Sequence, residues 1–230
     1  MTTMAGARLV WFFDLDDTLH DASHAIFGAI DRRMTEYVVK YLELDESTAN
    51  QLRLAYWRRY GATMLGLARH HAVDPHHFLR ETHDFDVAAL LRAERGLARL
   101  FARLPGRKML LTNAPDRYAR AVLRELSLHP HVGARYAIEQ MRVHGAFRPK
   151  PSRAMLRHIL ARERIRAHRA VLVDDSPANL KAARAVGLRT VLVARRDGAF
   201  GLRRPRRPHY VALRVRSVLD LPKRLAFLRK

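Results

Sequence analysis

Residues 10–13, Val-Trp-Phe-Phe, are four successive β-branched or aromatic side chains that break off into Asp14-Leu15-Asp16-Asp17-Thr18. A run that is apolar on both alternating faces suits a strand covered on both sides, as in a parallel sheet. The acids then leave the core and fall in a loop at the sheet's carboxyl edge, where α/β proteins place their chemistry. Three carboxylates within four residues repel one another, so a positive partner is expected among them. A hard divalent cation with oxygen ligands, Mg²⁺ first, meets that demand. For this segment alone the competing reading is a solvated turn or a helix cap at Asp17 or Thr18.

Three further sites follow in order. Arg107 to Leu111 is a second apolar run, and it ends in Thr112-Asn113-Ala114-Pro115. A hydroxyl and backbone N–H groups ahead of a helix form an anion cradle. Lys150 stands between Pro149 and Pro151, which stiffen the backbone around its ammonium. A third apolar run, Ala170 to Val173, ends in Asp174-Asp175-Ser176-Pro177, with Pro177 suited to the first turn of a helix. Taken singly, each is an ordinary cap or loop residue; in this order, they read as a site for phosphate plus metal.

These four segments resemble the signature motifs of the haloacid dehalogenase superfamily of aspartate-nucleophile phosphohydrolases. The matches are DLDDTL at Asp14 to Leu19, LLTNA at Leu110 to Ala114, PKP at Pro149 to Pro151, and VDDSPANL at Val173 to Leu180. The resemblance implies that Asp14 is the nucleophile and Asp16 the general acid/base. It implies that Thr112, Asn113 and Lys150 bind phosphate, and that Asp174 and Asp175 join Asp14 and Asp16 around Mg²⁺. Asn179 departs from the pattern, since many relatives carry an acid there, and this removes one anionic neighbour from the metal.

The residue types supply a chemistry. A phosphate monoester dianion repels a carboxylate, so Mg²⁺ and Lys150 must neutralise its oxygens before Asp14 attacks. The resulting aspartyl-phosphate divides one difficult displacement into two easier ones. Asp16 protonates the leaving alkoxide and then takes a proton from the hydrolytic water.

Residues from about 23 to 91 carry only helical periodicity, beginning with Ile26, Ile30, Met34, Tyr37, Val38 and Tyr41 on one face and with Ser23 or Asp21 as its cap. From Gly96 onward helices and strands alternate, with strands expected at 108–111, near 136–138, at 170–173, 190–193 and 210–213, and a last helix over 217–228. That alternation predicts an α/β fold, a Rossmann-like parallel sheet covered by helices on both faces. Residues 1–20 and 96–230 form the core, and 21–95 form a small all-helical cap inserted after the first strand. The cap is similar to the C1-type caps of the superfamily. Its segment from Tyr56 to Ala72, with His83 to Phe85, looks like the pyrimidine 5′-nucleotidase subfamily, which implies UMP or CMP as substrate. Tyr56, Trp57 and Tyr60 are the candidates for holding the base. His76 and His77, adjacent on a helix, point apart and make a poor metal pair.

The 230 residues include no cysteine, no signal-like start and no membrane-spanning apolar stretch, which points to a cytoplasmic protein. The formal net charge of +21 attracts polyanions, most densely at Arg195 to Pro208. Without a groove-reading motif, nucleic acid stays secondary to a small phosphorylated metabolite. Two alternatives to a nucleotidase are retained. One is a phosphatase of sugar phosphate or phosphoglycolate, or a phosphotransferase, on the same fold; the other is a non-enzymatic polyanion-binding protein. Haloacid dehalogenation is disfavoured because it has no use for Asp16 or the Asp174-Asp175 pair.

Overall fold

The computed structural model describes residues 9–194 and 208–228. Its strands are β1 (Val10–Phe13), β2 (Arg107–Leu111), β3 (Ala134–Tyr136), β4 (Arg142–Val143), β5 (Ala146–Phe147), β6 (Ala170–Asp174), β7 (Arg189–Val193) and β8 (Leu213–Val215). Its helices are α1 (Ile26–Leu42), α2 (Glu46–Tyr60), α3 (Thr63–His71), α4 (Pro75–Thr82), α5 (Val87–Leu90), α6 (Leu97–Arg103), α7 (Asp116–Glu125), α8 (Arg153–Arg162), α9 (Pro177–Val186) and α10 (Leu221–Arg224).

Six strands form one sheet in the order β3-β2-β1-β6-β7-β8, each pair parallel. β1 is central, and all four of its residues are buried because the alternation of side chains feeds two separate cores. Trp11 and Phe13 face the side packed by α6, α7 and α10, whereas Val10 and Phe12 face the side packed by α8 and α9. The Trp11 indole is satisfied by the Pro105 carbonyl at 2.8 Å. The sheet therefore has helices on both faces, as the apolar runs predict.

Between β1 and β2 the chain is helical, α1 to α6 with a short 3-10 turn before α1 and no strand. Tyr37, Val38, Ala49, Met64, Leu67, Phe78 and Leu79 form a third cluster, to which Ile138 from beyond β3 also belongs. Gly66 makes the close crossing of α2 and α3 possible: a Cβ there would stand 2.1 Å from the Tyr56 ring. Arg53 is buried in the same region and is held by Asp31 at 2.8 Å and Thr35 at 3.0 Å. The ends of α1 and α5 nearest the sheet, at Ile26, Ile30 and Val87, pack with the core on the Trp11 side.

Several local expectations are corrected. The cap of α1 is neither Ser23 nor Asp21: Ala25 precedes the helix without a side-chain bond, and Ser23 instead donates its backbone N–H to Asp17 at 2.9 Å. The strand expected near 136–138 lies at 134–136, with Ile138–Gln140 forming a 3-10 turn, and the last strand lies at 213–215 rather than 210–213. The helix expected over 217–228 is broken into two 3-10 turns around the short α10. The β4-β5 hairpin is additional; its turn residues His144 and Gly145 have φ of 50° and 76°, the primed-turn geometry that matches strand twist. Of the basic segment from Arg195 to Pro208, all but Pro208 lies outside the described residues.

Candidate active site

The loop after β1 begins at Asp14, whose backbone N–H donates to the Val173 carbonyl at 2.9 Å and so continues the parallel pairing. It does not leave the core outright: Leu15, Thr18, Leu19 and His20 are all fully buried. This folding back pins the acids between apolar anchors. Asp14 itself is 7% exposed.

Asp14, Asp174 and Asp175 present ligand oxygens that all lie within 4.8 Å of one another. Lys150 reaches into this group from its loop, with Nζ 2.7 Å from Asp14 Oδ1 and 2.9 Å from Asp174 Oδ2. Burial alone would lower the lysine's affinity for its proton, but Asp14 and Asp174 outweigh that and hold the ammonium above its usual range. Burial pushes the Asp14 carboxyl well up; Lys150 opposes this, and Asp174 and Asp175 add to it. Burial, then Asp174, lifts Asp175 to about 6. Among the described residues, one ammonium thus leaves these three acids under-compensated. An all-oxygen donor set with residual negative charge fits a hard divalent cation.

Asp174 is the most constrained of the three. Ser176 N–H donates to Oδ1 at 2.8 Å, and Asn179 Nδ2 lies 3.0 and 3.1 Å from Oδ1 and Oδ2. Where an acid would repel Asp174, Asn179 clamps it. Asp175 accepts a longer bond from Thr18 Oγ1, 3.4 Å.

The two phosphate candidates after β2 have internal duties. Thr112 Oγ1 accepts the Ala114 N–H at 3.0 Å. Asn113 pairs with the backbone of Lys150 in both directions: Oδ1 accepts the Lys150 N–H at 2.9 Å, and Nδ2 donates to the Lys150 carbonyl at 3.1 Å. The Asn113 side chain therefore fixes the lysine loop to the end of β2.

Asp16 is not part of the acidic group. Its Oδ1 accepts the Tyr118 hydroxyl at 2.7 Å and lies 2.9 Å from His20 Nε2. Burial, reinforced by Asp16, drives the Tyr118 phenol far above its ordinary range, so it remains a donor. Sequence reasoning missed both partners. His20 carried a weak signal, four residues from Asp16, while Tyr118 is 102 residues away and carried none.

Beside this pair a cleft of about 180 Å³ opens between α4 and the start of α7, lined by His76, Arg80, His83, Pro115, Arg117 and Glu139 among others. Burial depresses His83 to about 4. Tyr56, Trp57 and Tyr60 lie elsewhere. The Tyr56 and Tyr60 hydroxyls meet His71 and His70 of α3 at 2.7 and 2.6 Å, and Trp57 is 58% exposed. His77 binds the Tyr37 hydroxyl at 2.8 Å while His76 turns toward Phe147, so the two imidazoles diverge.

Among the described residues, no helix is long and apolar enough to cross a membrane. A family model described as haloacid dehalogenase-like hydrolase matches residues 10–187. Solved structures share the fold over nearly the whole chain. A HAD phosphatase from Thermococcus onnurineus is 18% identical, covers 96% of this chain and 100% of its own, and gives a TM-score of 0.62. The HAD-hydrolase YfnB from Bacillus subtilis, bound to magnesium, is 16% identical with coverage of 95% and 99% and a TM-score of 0.61. A 2-haloacid dehalogenase from Pseudomonas syringae is 20% identical with coverage of 95% and 98% and a TM-score of 0.58. At such identities these likenesses speak to the fold, and it is the family match across most of the sequence that decides membership: the chain belongs to the haloacid dehalogenase-like hydrolases.

Proposed function

We propose that this hydrolase cleaves phosphomonoesters with Mg²⁺, and that its preferred substrates are pyrimidine 5′-nucleotides. The observation that carries the first part is the buried Lys150 ammonium bridging Asp14 and Asp174, with Asp175 alongside. Three carboxylates and one ammonium make a charge-bearing site suited to a cation and a dianion together. Displacement of a halide from carbon has no need of the Asp174-Asp175 pair, which favours the phosphatase among the activities represented by the structural neighbours.

Asp14, Asp174 and Asp175 would hold the metal through their carboxylates, while Asp16, whose Oδ1 is engaged by Tyr118 and His20, lies outside this group. A Mg²⁺ bound there supplies positive charge at the phosphoryl oxygens. Lys150 adds a second charge from a fixed position, and its loop is held in place by Asn113. Asp14 attacks phosphorus, the ester P–O bond breaks, and its electron pair goes to the leaving oxygen, which takes a proton from Asp16. Water then attacks the aspartyl-phosphate, Asp16 recovers the proton, and phosphate departs. Most of the acceleration comes from positioning and charge stabilisation.

Residues 21–95, with α1 to α5, are read as the cap, and the cleft at His83 and Arg117 as the way in for the leaving group. Pyrimidine preference rests on the likeness of Tyr56 to Ala72 and His83 to Phe85 to that subfamily. A panel of phosphomonoesters assayed with Mg²⁺, beside halide release from 2-haloacids, tests the whole reading. Phosphate release from UMP and CMP above that from AMP, GMP and sugar phosphates is expected. Better turnover of sugar phosphates or phosphoglycolate removes the nucleotidase; halide release without phosphate release removes the phosphatase.

A further inference from the structure

Two hydrogen bonds converge on one oxygen of Asp16. Tyr118 Oη lies 2.7 Å and His20 Nε2 2.9 Å from Oδ1. Neither partner has much freedom: His20 is fully buried and Tyr118 is 2% exposed. The Tyr118 ring is braced in turn by His83 at 5.7 Å and Phe85 at 6.0 Å, both from the segment that follows α4. Because Tyr118 already donates to Oδ1, the tautomer that completes the pair carries its hydrogen on His20 Nε2. His20 Nδ1 then has no hydrogen-bond partner among the described residues. An unpartnered polar atom in a fully buried ring costs stability, whereas Nε2 of the same ring is engaged with Asp16.

With Oδ1 occupied by both donors, the carboxylate plane is set and Oδ2 is the oxygen left for another task. We propose that Tyr118 and His20 are positioning residues that fix Asp16 so that Oδ2 serves proton transfer at the leaving-group oxygen. This rests on the phosphatase reading above. A donor pair taking one oxygen costs Asp16 none of its capacity at the other, and it removes the rotational freedom that would otherwise be lost in the transition state.

The test compares two esters. p-Nitrophenolate departs without needing a proton, whereas an alkoxide does not, so faulty positioning of the acid harms only the alkyl ester at the first chemical step. That step is read by kcat/KM. In Tyr118→Phe, kcat/KM for glycerol phosphate or UMP is expected to fall about tenfold or more, against less than about twofold for p-nitrophenyl phosphate. His20→Leu should reproduce this selective loss, and His20→Gln, which retains an N–H donor, should restore most of it; this pair decides the matter should Tyr118→Phe not fold. A two-bond ¹H–¹⁵N correlation, assigned by the His20→Gln difference, should place the His20 proton on Nε2 in the wild type. Parallel losses on both esters, no loss on either, or a proton on Nδ1 overturns the positioning role while the phosphatase stands. A wild type that releases phosphate from neither ester overturns the phosphatase and this inference together.

Discussion

Replacing Lys150 by methionine keeps the unbranched side chain to within one atom of its length and removes its charge. In the native arrangement that ammonium is 4% exposed and sits 2.7 and 2.9 Å from two carboxylates. Without it, Asp14, Asp174 and Asp175 are left with oxygens within 4.8 Å of one another, where each pair of full charges repels by about 3.5 kcal/mol at an effective dielectric of about 20. Part of this is relieved by proton uptake and by the desolvation that lysine no longer suffers. Removing one partner of a buried ion pair typically costs about 3–5 kcal/mol, and that is the loss expected here in EDTA. For a chain of this size it lowers Tm by about 10 °C. Urea titrations of wild type and Lys150→Met, in EDTA and in excess Mg²⁺, read the effect directly. Mg²⁺ should raise the variant's midpoint more than the wild type's, because the cation replaces the missing positive charge. Phosphatase activity should fall by about a hundredfold or more, as when a preorganised electrostatic group is lost. Lys181→Met, an exposed lysine on α9, serves as control. A Lys150→Met protein that melts within about 2 °C of wild type in EDTA, with activity within a few-fold, refutes the reasoning.

Asp14→Asn should abolish phosphate release yet leave Tm unchanged or raise it in EDTA, since it removes one of three mutually repelling acids; activity within a few-fold of wild type contradicts the nucleophile assignment. His83 is depressed from 6.5 to about 4 in the fold, so the unfolded chain binds its proton first and stability falls on acidification through that window. The contribution is about 3 kcal/mol, and His83→Asn should flatten the wild-type loss between those pH values in urea titrations, whereas an unchanged slope excludes it. Gly66→Ala drives a methyl into the Tyr56 ring and should cost about 1–3 kcal/mol by calorimetry; a variant as stable as wild type means that α2 and α3 separate freely.

The sheet was legible because β1, β2 and β6 are short apolar runs ending in polar loops, and both faces of Val10–Phe13 are indeed covered. Strand edges were less legible. Val211 is buried although it precedes β8, so its apolar character marked packing rather than pairing. Pro222, in the first turn of α10, has no N–H to bond back to the preceding turn, which parts α10 from the 3-10 turn at Val218–Asp220. The β4-β5 hairpin is two residues per strand, too short for any pattern of alternation. At the site, the motifs predict Asp14, Asp16, Lys150, Asp174 and Asp175 together; the structure groups Asp14, Lys150, Asp174 and Asp175 at strand ends or in a loop fixed beside one, and leaves Asp16 with Tyr118 and His20. What the motifs did not convey is how these groups are held. Asn113 is occupied with the Lys150 backbone, Asn179 clamps Asp174, and Tyr118 and His20 hold Asp16. Such contacts span 102 residues in the case of Tyr118, and no local pattern encodes them. The sequence offers Tyr56, Trp57 and Tyr60 of α2 to a base, whereas in the structure the Tyr56 and Tyr60 hydroxyls meet histidines on α3. An amphipathic pattern tells which side is apolar, not which neighbour it meets.

A covalent bond between an Asp14 carboxylate oxygen and phosphorus is the central step of the proposed reaction. Acid quenching during turnover of p-nitrophenyl phosphate with Mg²⁺, followed by peptide mass spectrometry, looks for that bond itself. The expected result is a gain of one HPO₃ on the peptide carrying Asp14, formed within the first turnover, lost once substrate is exhausted, and absent from Asp14→Asn. A Mg²⁺-dependent enzyme that turns over at full rate while every quenched sample, including a slowed Asp16→Asn variant, lacks phosphate on that peptide contradicts it.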